Sequence, residues 1–60
     1  FISKLSIARK EANETKVWLE ILHEGKYIDQ ESFNSIMSDC EELIRILTSI
    51  IVKIENRSKG

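Results

Sequence analysis

Sixty residues with nine Lys or Arg against ten Asp or Glu give a formal charge of −1, without the basic excess of a dedicated nucleic-acid domain. At 42% hydrophobic residues the chain can fold, yet so short a chain usually needs a disulfide, a metal or a partner to hold a core. Cys40 is the single cysteine, which excludes an internal disulfide. One unpaired thiol, no signal peptide and no apolar run of membrane-spanning length make a cytoplasmic setting the expectation.

The first predicted element is a helix from about residue 2 to 24. Phe1, Leu5, Ala8, Ala12, Thr15, Leu19 and Leu22 recur at alternating three- and four-residue spacing, the repeat of a helix that packs along a narrow seam. With Leu5 at heptad position a, the seam occupies a and d. Ile7, Val17, Trp18 and Ile21 fall at c, f and g, away from it. A helix apolar on two faces is buried on two faces or keeps an exposed patch for a purpose. Trp18 shielding the bundle edge is the bland reading. The favoured one is a homo-oligomer interface through Val17, Trp18 and Ile21, supported by Ile7.

Four basic residues of this helix, Lys4, Arg9, Lys10 and Lys16, are the candidate nucleic-acid contacts, because charge neutralisation carries nonspecific affinity. Arg9, Lys16 and His23 share one lane, e, beside the seam. Glu11 and Glu14 stand among them, and residues 1–28 carry five Lys or Arg against four Asp or Glu. A mixed solvated face therefore outweighs a phosphate footprint for these residues alone. Glu20 and His23 have the Glu-x-x-His spacing of di-iron bundles. Glu20 falls at the outward b position, however, and no second copy of the motif exists, so no metal and no cofactor are expected. Cys40 has no His at helical spacing, and two glycines cannot build a phosphate loop. No catalytic residue emerges, and no enzyme is expected.

Gly25 is predicted to take the left-handed position that closes the first helix. A turn over residues 25–29 follows, with Asp29 as N-cap of a second helix over about 30–56 and Gln30 and Glu31 in its first turn. Ile28 and Phe33 have hydrophobic-staple spacing. So short a turn makes the helices antiparallel neighbours. Phe33, Ile36, Cys40, Leu43, Leu47, Ile50 and Ile54 form the second seam, again at a and d. Met37, Ile44 and Ile51 add lane e, which widens the stripe to what a bundle core needs. Residues 57–60 look like a frayed end.

The predicted architecture is all-α: one antiparallel helical hairpin over residues 1–60, forming half of an up-down four-helix bundle. Starting at Phe1, directly in a helical pattern, it is expected to be the C-terminal part of a larger bundle. Its partner is a second copy of itself or a missing N-terminal helical half.

The stretch from Phe1 to Thr15, with its Leu5-Ser6-Ile7-Ala8, Lys10-Glu11-Ala12 and Glu14-Thr15 segments, resembles the third helix of the bacterial four-helix-bundle proteins found in 23S rRNA intervening sequences. The likeness continues through Trp18-Leu19, the turn from Gly25 to Ile28, and Glu41-Glu42-Leu43-Ile44-Arg45-Ile46-Leu47. It covers essentially the whole chain, as the C-terminal half of that bundle. The family is also similar to the accessory variability protein of diversity-generating retroelements, a ring-shaped pentamer that binds nucleic acid and a reverse transcriptase. The resemblance implies a non-enzymatic assembly or scaffold module, a homo-oligomer, pentameric by that likeness, and nucleic-acid binding in the full-length parent. It supplies no catalytic residues. The alternative is a self-sufficient hairpin that dimerises into an RNA-binding four-helix bundle.

Overall fold

In a computed structural model, which describes residues 1–59, the chain is a helical hairpin: α1 (Ile2–Glu24) and α2 (Gln30–Lys59) joined by a tight turn. Gly60, the last residue of the predicted frayed end, lies outside the described residues. The hairpin measures 48 × 16 × 12 Å. A helix of α2's length spans roughly 45 Å at 1.5 Å per residue, so α2 sets the long axis. No strand occurs among the described residues.

Neither helix contains proline, so each ladder runs without a missing donor or a ring clash. α1 ends in a Schellman arrangement. The N–H of Tyr27 donates to the carbonyl of Leu22 at 2.9 Å, and the N–H of Lys26 to that of His23 at 3.1 Å. This corrects the expectation for Gly25, which keeps a right-handed helical conformation at φ −76°, ψ −1°. Lys26 takes the left-handed one, at φ 63°. Gly25 instead serves close approach, since a Cβ there would meet the Tyr27 ring at 2.9 Å.

α2 opens on Asp29, whose Oδ1 accepts the backbone N–H of Ser32 at 2.7 Å. The side chain satisfies a donor that the first turn leaves orphaned. That backbone bond holds the Asp29 carboxyl below its ordinary 3.8, with the Ser32 hydroxyl assisting and slight desolvation opposing. A carboxylate lowered on folding stabilises the fold above its unfolded value, and that stability is lost as pH falls through the folded value. Asp29→Asn is therefore expected to keep a capping oxygen and to flatten the acid dependence below pH 3.8. Thermal melts by circular dichroism across that range check it, and a variant as acid-sensitive as the parent would refute the cap's contribution.

At its far end α2 runs past the predicted stop at about residue 56 and continues to Lys59. The Ser58 hydroxyl there donates back to the carbonyl of Ile54 at 3.2 Å. Arg57 in this last segment suits the negative end of a helix dipole.

The core is a thin line between the helices. Ala12 and Leu19 of α1 and Leu47 and Ile51 of α2 are buried, Ile51 most fully at 3% exposure. Leu5, Phe33, Met37, Cys40, Ile44 and Ile54 are half-buried beside them. In heptad terms the helices meet through lanes a and e, not a and d. Predicted seam residues on the d lanes, Phe1, Ala8, Thr15, Leu22, Ile36, Leu43 and Ile50, are exposed. The physical reason is the width of the stripe. A stripe covering d, a and e is wider than a single helix–helix contact can bury. The hairpin uses the a/e half and leaves the d half open.

Candidate functional site

Rotation of the seam toward e changes the place of the basic lane. Arg9 and Lys16 are half-buried at the helix–helix contact. Arg9 reaches across it, donating from Nη1 to Thr48 Oγ1 at 3.4 Å. His23 stacks on Phe33, ring centroids 4.2 Å apart and planes 16° off parallel. Lys4 and Lys10 are exposed on other sides of α1, at g and f. The four candidate phosphate contacts thus divide into two seam residues and two separate surface lysines.

Among the proposed interface residues, Val17, Trp18 and Ile21 lie within about one turn on the side of α1 turned away from α2. All three are exposed, Trp18 at 64%. Ile7 is also exposed, but it sits roughly 15 Å along the axis from Val17 at 1.5 Å per residue. Glu20 is exposed while its motif partner His23 is engaged with Phe33. Among the described residues no group of three His, Cys, Asp or Glu could hold a metal ion, and no helix is long and apolar enough to cross a membrane.

Helical geometry places the open d lanes together. In an antiparallel pair, equivalent wheel positions flank the contact on the same side, because reversing one helix mirrors its wheel. Leu22 of α1 therefore shares one side of the hairpin with Ile36, Leu43 and Ile50 of α2. All four are exposed. The opposite side carries the b lanes, from Ser6, Asn13 and Glu20 to Asn34, Glu41 and Glu55, and is polar. The hairpin has one apolar face and one wet face.

A compact folded protein of 7.0 kDa presents about 4,000 Å² of accessible surface. The hairpin presents 4820 Å², the excess expected of an elongated helix pair measuring 48 × 16 × 12 Å.

Charge is sorted along the axis as well. At the open end, residues 1–10 and 45–58 carry six basic side chains (Lys4, Arg9, Lys10, Arg45, Lys53 and Arg57) against Glu55 alone, a formal +5. At the turn end, residues 11–44 carry nine Asp or Glu against Lys16 and Lys26, a formal −7. Sequence reasoning on α1 alone missed Arg45, Lys53 and Arg57. The signal lay in two acid-poor segments, one at each end of the chain, which an antiparallel fold brings side by side. On α2, Arg45 and Lys53 line the same open groove as Ile46 and Ile50, and Ile50, Lys53, Ile54 and Arg57 extend it toward the C-terminal end. Arg45 also lies 3.9 Å from Glu42, an exposed pair of little energetic weight.

A family model described as 23S rRNA-intervening sequence protein matches residues 1–49. Comparison with curated proteins and with solved structures finds no match.

Proposed function

This chain belongs to the 23S rRNA-intervening sequence protein family, and from that premise we propose that it is a non-enzymatic assembly module whose apolar face is covered by a second helical pair. The pair completes an up-down four-helix bundle inside a homo-oligomer. The observation that carries this reading is the open d-lane face, on which Leu22, Ile36, Leu43 and Ile50 are exposed. Leu43 and Ile50 stay exposed within the hairpin, and water-exposed apolar side chains in a row favour burial at about 25 cal/mol per Å². Val17, Trp18 and Ile21, with Ile7, supply a second contact on the outer side of α1, as a ring of the pentameric kind would require. Trp is the residue type most enriched where such contacts are strongest.

Light scattering over about a hundredfold concentration range, with circular dichroism alongside, tests the module. A helical species whose mass and stability rise together with concentration is the expected result. A helical chain that stays monomeric throughout would defeat the reading.

Contact with nucleic acid is a second reading, favoured by the +5 open end. Phosphate binding there would weaken steeply with added salt, by about 0.9 in log K per neutralised duplex phosphate for each unit of log salt. Exposed Lys4, Lys10, Lys53 and Arg57 carry this surface, with Arg9 and Lys16 behind them in the seam.

A further inference from the structure

We draw no further inference here: the strongest candidate, the exposed surface patch of Val17, Trp18 and Ile21 on the outer side of α1, belongs to the assembly contact already described, and nothing in the structure shows what covers it.

Discussion

Ile51→Ala is expected to unfold the hairpin, whereas Ile50→Ala, one residue earlier, is expected to leave it folded and to weaken its assembly. Ile51 is the most buried of the described side chains, while Ile50 is 37% exposed on the open face. Truncating a buried Ile costs about 2–5 kcal/mol through lost transfer energy and the cavity left behind. Cores of this size rarely supply more than about 3–5 kcal/mol in total. At concentrations where the chain is monomeric, Ile50→Ala should change stability by under about 1 kcal/mol. Chemical denaturation at low and high concentration separates the two effects. Equal losses for both variants in the monomer would mean that lanes d and e close the hairpin together.

Trp18→Ala is the second large effect. Its ring is exposed and sits on the far side of α1 from α2, so far-UV circular dichroism of the hairpin should stay the same. Aromatic anchors at the centre of an interface cost about 2 kcal/mol or more when truncated, roughly a thirtyfold loss of affinity. The variant should stop at the species closed by the apolar face and fail to form anything larger. An unchanged distribution of masses would show that Trp18 only shields the bundle edge, and that Val17 and Ile21 beside it are solvent-facing for no assembly purpose.

The helices, their antiparallel pairing and the Asp29 cap were legible because each has a local cause: a sustained apolar period, a turn too short for any other connection, and an acidic residue placed to accept an N–H. The lane that closes the hairpin was not. Ile50 and Ile51 are both isoleucines on one broad stripe, and which of them turns inward depends on how the two helices divide that stripe when they pack. The same rotation took Arg9 and Lys16 from a presumed surface lane into the seam. Lys26 rather than Gly25 took the left-handed position because the helix continued one residue further than glycine's usual role suggests. The charged ends were hidden for another reason. A net charge of −1 averages over two halves of opposite sign, and the basic residues that make one half lie more than thirty positions apart in the chain. Only the fold sums them. Ile7, Val17, Trp18 and Ile21 are exposed, and the mass measurements above decide whether they form an interface.

The stack of His23 on Phe33 has a consequence for the order in which the molecule takes shape. These rings are ten positions apart and sit against the turn, and a loop of that length closes in about 10–100 ns. The Arg9–Thr48 contact spans thirty-nine positions and forms after the intervening helices have been brought into line. The chain thus zips from its bend outward. Its last segments to meet are residues 1–10 and 45–58, which carry formal charges of +3 and +2, so like charge opposes the final closure at the open end.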